Sequence, residues 1–327
     1  MYDIIAIGQP LMDICCEVSE EFLEEQGLNK GQFHMADKEL FTKVHDNLDK
    51  EKMTLDYGGS AANTLAGIRL IDYNIKLAEY GMLGRDEYGK LEHDKLKQQG
   101  ILDFYKDHKE LPTGTVLALI TPDAERTFVV YLGAAPELEA EHIDTDIFEK
   151  AKIIHTTGYE FESPKVRTAI RKAVAVAKDN GNMVSFDLAD PGVVQRNMID
   201  IKAFVKENVN ILFANEEEAM EFTGKEPREA IKVLSEMVDY AVVKLGDKGS
   251  IIIDNEGVHY EIDAFKVDAK DTTGAGDMFA AGILWGISKE IDLNVAGKIA
   301  SFAAAKVVEK IGARLQDLDI DEFLPEE

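Results

Sequence analysis

Apolar positions along this chain fall into two rhythms. From residue 60 onward, helical periodicity and short apolar runs take turns: SAANTLAGIRLI, then IKLAEYG, then a charged helix near 86–99. KIIHTTG, the helix SPKVRTAIRKAVAVAKDNG, the strand NMVSFDL, a helix near 195–207, NVNILFAN and helices across 215–238 continue the pattern. Such alternation predicts a mostly parallel sheet flanked by helices, and the unbroken apolar runs of its strands fit burial on both faces. Residues 14–57 and 101–134 break the rhythm, being rich in β-like segments without alternating buried helices. GTVLALI and RTFVVYL read as a hairpin turning at TPDAE. The expected architecture is therefore a doubly wound α/β domain assembled from 1–13, 58–100 and 135–327. A small β lid, formed by 14–57 and 101–134, folds over one edge. Pockets favour such junctions, which places the candidate site between lid and sheet.

Composition narrows the function. With 45% hydrophobic and 30% charged residues, and no apolar run of about 18 residues, the chain shows no membrane span. MYDIIAIG starts as a strand without the marks of a signal peptide, so a cytoplasmic location is expected. A net charge of −26, from 62 acidic and 36 basic residues, repels phosphate backbones and argues against nucleic acid as a partner. A small anionic ligand would need a local, glycine-lined cradle of backbone amides. Cys15 and Cys16 are adjacent and supply neither a disulfide framework nor a spaced zinc site. The histidines, His155 among them, show no paired metal spacing, and Trp285 reads as core.

One stretch meets the requirement for a cradle. In DTTGAGDMFAAG (271–282), Thr272, Thr273, Gly274, Ala275 and Gly276 form a turn whose bare glycines let N–H groups approach an anion, and a helix starting near Ala275 adds its positive end. Asp277 in that setting is placed to take a proton from an alcohol as the alcohol attacks a phosphorus held by the amides. As a bare pattern, the stretch also fits an ordinary capped helix. A second constellation, GGSAANTLAG (58–67), sets Gly58, Gly59 and a hydroxyl before a helix with Asn63 one turn in, while Asp13 is expected to end the first strand. Asp13 and Asn63 together suit the vicinal hydroxyls of a sugar. Two other phosphate motifs fail. GRDEYGKL (84–91) has Leu91 where a P-loop needs a hydroxyl, and carries Asp86 and Glu87 inside the loop; GAGDMF lacks the third glycine of a dinucleotide fingerprint. In RTFVVYL, Phe128 and Val130 point to one face. With Phe33 and Met35 they form either an apolar clamp for a purine or a surface joining lid to body or to a second subunit.

Taken together, DTTGAGD, GGSAAN and NEEE (215–218) resemble, in order and spacing, the motifs of the ribokinase-like (PfkB) family of carbohydrate and nucleoside kinases. IGQPLMDI, GQFHMADKELF, PTGTVLALITPDAERTFVVYLGAA and NILFANEEEA are similar to its adenosine-kinase branch. The resemblance implies ATP and Mg2+ as cofactors and a small nucleoside or sugar as acceptor, in a monomer or homodimer. It makes Asp277 the catalytic base, the amides of Gly274, Ala275 and Gly276 the anion hole, and Asp13, Gly59 and Asn63 the holders of ribose hydroxyls. It also assigns Asn215 and Glu218 to magnesium and its water, Lys244, Gly246 and Gly249 to the nucleotide, and Arg126 to the transferring phosphoryl group. Asp271, Thr273 and Gly312 match positions near a monovalent cation, potassium in this family. The chain departs from the pattern at Gln9, where Asn is common, at Tyr159-Glu160, where an aromatic pair is common, and at Lys244, where Thr is frequent.

Overall fold

The computed structural model describes residues 1–123 and 125–324; Ala124, in the expected TPDAE turn, and the last three residues lie outside the described part. Among the described residues, the large sheet has nine strands. Their spatial order is His259–Ile262, Ser250–Ile253, Tyr240–Lys244, Ile211–Asn215, Met183–Asp187, Ala151–Thr157, Tyr2–Ile7, Leu77–Tyr80 and Leu102–Asp103. Neighbours are parallel except at one edge, where Ser250–Ile253 runs antiparallel to both its partners. Alternation within each strand feeds two cores. Ile5, Ile7, Ile154, Phe186 and Leu212 pack on the face that carries helices Pro164–Asp179 and Pro191–Asn208, while Ile4, Ala6, Ile153 and Phe213 pack against helices Ser60–Ile71 and Ala275–Ser288.

The lid is a separate sheet of Phe33–Met35, Arg126–Tyr131, Gly114–Ile120, Leu11–Glu17 and Met53–Gly58. The hairpin expected from GTVLALI and RTFVVYL is present as an antiparallel pair, from Arg126 opposite Ile120 to Tyr131 opposite Thr115. Three expectations need correction. Asp13 does not end the first strand: Pro10 interrupts the chain after Ile7, and Asp13 is the third residue of the lid strand Leu11–Glu17. Residues 101–113 do not join the small sheet, because Leu102–Asp103 pairs with Leu77–Tyr80 at the edge of the large one and Lys106–His108 pairs with Met82–Gly84. The lid also contains two helices, Glu20–Gln26 and Lys38–Asp46, capped by the side chains of Ser19 and Asp37. They cover one face of the lid sheet, burying Met12, Ile14, Leu117, Leu119 and Val129.

Candidate active site

Two helix N-termini converge beneath the lid. Helices Ser60–Ile71 and Ala275–Ser288 approach so closely that a Cβ on Gly67 would stand 2.8 Å from both Ala281 Cβ and Met278 Sδ. Both helices open with a glycine at positive φ. Gly59 (φ 95°) leaves 2.7 Å between a would-be Cβ and the Gln9 carbonyl, and Gly274 (φ 79°) leaves 2.4 Å to the Ala313 carbonyl, so neither site admits a side chain. The consequence is a direct link between the two glycine motifs. The Ser60 hydroxyl donates to Asp277 Oδ1 at 2.6 Å, and Asn63 Nδ2 donates to Asp277 Oδ2 at 3.0 Å. Arg314 Nε in turn donates to Asn63 Oδ1 at 2.8 Å.

Asp277 is half-buried by surface area yet closely ringed by protein. Burial lifts its pKa to about 6, helped by the Asp187 charge and opposed by the Ser60 and Asn63 hydrogen bonds and by Lys244. A carboxylate raised in this way is a better proton acceptor than an ordinary aspartate. Beside it, the amide of Ala275 is engaged by the Thr272 carbonyl at 3.2 Å. Of the three amides expected in the anion hole, that of Ala275 thus has a partner in the turn, while those of Gly274 and Gly276 have no backbone partner among the described residues. Among the described residues, the N–H groups of Gly276 and Asp277 have no backbone partner and are the free donors of the first turn.

Three parallel strands deliver the remaining groups at their carboxyl ends, where open α/β sheets bind ligands. Asp187, Asn215 and Lys244 close Met183–Asp187, Ile211–Asn215 and Tyr240–Lys244, with Asn215 directly opposite Lys244 in the ladder. Lys244 Nζ bonds Asp187 Oδ2 at 2.8 Å and lies 3.1 Å from where a Cβ on Gly276 would be, which puts its charge at the mouth of the glycine turn. Burial works against the ammonium, but the Asp187 and Glu218 carboxylates outweigh it and hold the Lys244 pKa above its ordinary value. Asn215 and Glu218 cap their helix reciprocally: Glu218 accepts from the Asn215 amide and side chain at 2.7 and 2.6 Å, and Asn215 Oδ1 accepts from Glu218 N at 2.8 Å. Glu218 is only 2% exposed, and burial raises its pKa. Gly246 and Gly249 flank the short turn after Lys244, both at positive φ.

The lid contributes from its other face. Strand registers align Asp13 with Val116 and Asp56, and Phe128 with Ala118 and Phe33, so Asp13, Phe128 and Val130 share the face that the lid helices leave uncovered. Val130 is buried and Phe128 half-buried, whereas Phe33 and Met35 at the edge are 62% and 60% exposed. The Asp13 carboxylate lies against Gly58, within 2.7 Å of a would-be Cβ, and accepts no hydrogen bond among the described residues. Burial pushes its pKa up to about 7, with Arg314 opposing and Asp56 reinforcing the shift.

Arg126, expected at a phosphoryl group, ties the lid to the glycine turn before Ala275–Ser288 by pairing with Asp271 at 2.9 Å. The trio expected around a monovalent cation does meet, gathered on the Asp271 carboxylate that Arg126 also pairs with. Asp271 Oδ2 also takes the Gly312 N–H at 2.9 Å, and Oδ1 takes the Thr273 N–H and hydroxyl at 3.1 and 2.7 Å. These donors overcome burial and hold the Asp271 pKa down at about 2. Thr272, at the loop's tip, is exposed. Where the sequence departs from the family pattern, the Gln9 backbone N–H donates to Glu160 Oε1 at 3.2 Å, and the buried Gln9 Nε2 has no partner among the described residues. Sequence reasoning missed Ser60, Asp187 and Arg314. Ser60 stood inside a quoted motif; the other two carry no motif signal, and Arg314 meets Asn63 across 251 residues of chain.

A carboxylate seated at a helix N-terminus beside free amides and a lysine, facing a lid that offers hydroxyl-binding groups, defines a phosphotransferase acting on a hydroxyl group. The chain belongs to the pfkB family of carbohydrate kinases, which it matches over residues 32–320. It is similar to the crystal structure of adenosine kinase from Sinorhizobium meliloti, with 29% identity, 96% of each chain covered and a TM-score of 0.85. A probable sugar kinase from Rhizobium etli CFN 42 is 28% identical, over 98% of this chain and 97% of the other, with a TM-score of 0.86. In sequence, the adenosine kinase of Saccharomyces cerevisiae is 25% identical over 331 residues, covering 94% of this chain and 95% of its own.

Proposed function

We propose that the protein transfers the γ-phosphoryl group of ATP to a primary hydroxyl of a nucleoside, with adenosine as the preferred acceptor and AMP as product. The observation carrying the reading is the Asp13 carboxylate, without a hydrogen-bond donor among the described residues, on the same lid face as Phe128 and Val130: one end is polar enough for ribose hydroxyls, the other apolar enough for a base. Asn63 and Gly59 lie at the ribose end. Asp277 removes the hydroxyl proton as the oxygen attacks phosphorus, and the free amides of Gly276 and Asp277, together with Lys244 and the N-terminus of Ala275–Ser288, offset the developing negative charge. Gly246 and Gly249 leave room for the nucleotide, and Thr272 borders it. Arg126 would leave Asp271 for the transferring group.

Magnesium suits the hard oxygen donors near Lys244. Both Glu218 oxygens are already held by Asn215, so this pair would hold the ion through water. The ion supplies charge neutralisation for the triphosphate. Potassium would sit at Asp271, Thr273 and Gly312 once Arg126 moves away. A cytoplasmic enzyme acting on small molecules fits the acidic surface, and no helix among the described residues is long and apolar enough to cross a membrane.

The alternative acceptor is a ribose- or fructose-type sugar, in line with the R. etli relative. A non-catalytic nucleotide sensor is disfavoured, because binding alone has no use for Asp277. A coupled ADP-release screen across nucleosides and free sugars tests the reading. Adenosine is expected to exceed ribose and fructose by at least about tenfold in kcat/KM, or about 1.4 kcal/mol; a free sugar as the better acceptor overturns the nucleoside assignment.

A further inference from the structure

Asn63 is 6% exposed, and its amide makes two side-chain hydrogen bonds among the described residues: it donates to Asp277 and accepts from Arg314. A carboxylate can only accept and a guanidinium can only donate, so this order is the one the two neighbours allow. Turned by half a revolution, the amide would set its oxygen against Asp277 Oδ2 and its NH2 against the Arg314 N–H. Ser60 holds the other oxygen of Asp277 and has no bearing on the amide. We propose that Arg314 is a positioning residue for phosphoryl transfer, locking the Asn63 amide so that its N–H fixes which face of the Asp277 carboxylate meets the acceptor hydroxyl. This rests on Asp277 being the base.

A competing role for Arg314 is pure charge. Its guanidinium is the main positive influence on Asp13 and Glu92, and it also acts on Glu79; Glu92 Oε1 is buried without a partner among the described residues, and Glu79 is wholly buried beside Tyr105. Two substitutions separate the roles. In Arg314→Gln the side-chain amide nitrogen takes the chain position of Nε, so the donor to Asn63 survives and the charge is lost. In Arg314→Lys the charge survives, but a methylene stands where Nε was.

The experiment measures turnover at saturating acceptor, together with the thermal midpoint, for native enzyme, both variants, Asn63→Ala and the Arg314→Lys/Asn63→Ala double variant. Arg314→Gln should keep turnover within about threefold of native and Arg314→Lys should lose about tenfold, the worth of one well-placed hydrogen bond. Thermal midpoints should fall in the opposite order, with Gln below Lys, because the buried carboxylates need the charge. In the Asn63→Ala background, Arg314→Lys should cost no further turnover. Lysine preserving more turnover than glutamine, or a full lysine effect without Asn63, overturns the proposal. Should Arg314→Gln not fold, the Lys/Ala cycle decides alone. Asp277→Asn in the same assay keeps the two readings apart: native-like turnover there sinks the base, whereas a dead Asp277→Asn beside a native-like Arg314→Lys sinks only the positioning role.

Discussion

Replacing Asp277 by asparagine is the sharpest perturbation of the mechanism, because the surroundings accommodate the amide without rearrangement. Asn63 can only donate toward position 277 while Arg314 holds it, so the new amide must turn its oxygen to Asn63 and its NH2 to Ser60. The Ser60 hydroxyl rotates and accepts, which leaves both hydrogen bonds made. The fold and the nucleotide side are therefore preserved, and what disappears is a group of pKa about 6 able to take a proton. General-base catalysis contributes about 10²–10⁴ in rate, or about 2.7–5.4 kcal/mol of barrier. Coupled ADP release at saturating adenosine should fall by that range at pH 7.5, while calorimetric binding of ADP stays within about twofold. The native enzyme should lose kcat/KM as pH drops through about 6, where Asp277 protonates, and the residual activity of Asp277→Asn should lack that limb. Turnover within about threefold of native, or an unchanged acid limb in the variant, would refute the assignment.

Stability should move against activity over the same pH range. Burial raises the pKa of Asp13, Glu79 and Glu160 to about 7, above their unfolded values, so the native state takes up protons that the unfolded chain does not. Their stabilising contribution is complete below about pH 4 and lost as pH rises through about 7. The thermal midpoint of ligand-free protein should thus rise from pH 8 to pH 5.5, and a falling midpoint contradicts the burial argument. Phe128→Ala should reduce the preference for adenosine over ribose while leaving transfer to ribose; an unchanged ratio removes the base from that lid face. EDTA should abolish activity and magnesium restore it, as the triphosphate charge demands a hard cation. Potassium should stimulate, and equal rates in potassium and in a bulky organic cation would discard the Asp271, Thr273 and Gly312 assignment.

The parallel centre of the large sheet, unlike its polar edge strands His259–Ile262 and Leu102–Asp103, was legible in the sequence because its strands are apolar runs separated by helical periods, and these survive without tertiary information. The lid hairpin was legible for the same reason. Helix Glu20–Gln26 was not, being short and mostly charged; Lys38–Asp46 carries an apolar stripe of Leu40, Phe41 and Val44, but spans only about two and a half turns inside a segment dominated by β-like runs. Asp277, Asn63 and Glu218 were visible through motifs that fix their neighbours in the chain. Arg314 and Asp187 reach the site from separate segments, and a lone arginine after the last long helix has no local pattern to betray it. The Lys244 side chain, whose purpose the sequence left open, was explained only once Asp187 was seen beside it.

The alternation along the lid strands has a consequence for how such an enzyme can diversify. Positions 12, 14, 117, 119 and 129 hold the lid together beneath its helices, while 13, 15, 116, 118, 128 and 130 form the wall that an acceptor would meet. Structural duty and the proposed recognition face are thus interleaved along the same strands yet separated by the pleat. A point substitution on the recognition side leaves the interior packing intact, so a lineage could exchange one acceptor for another in single steps without passing through an unfolded intermediate. An insertion of one residue has the reverse effect: it turns the wall inward and the core outward together. Acceptor preference in this scaffold should be open to point mutation and closed to changes in strand length.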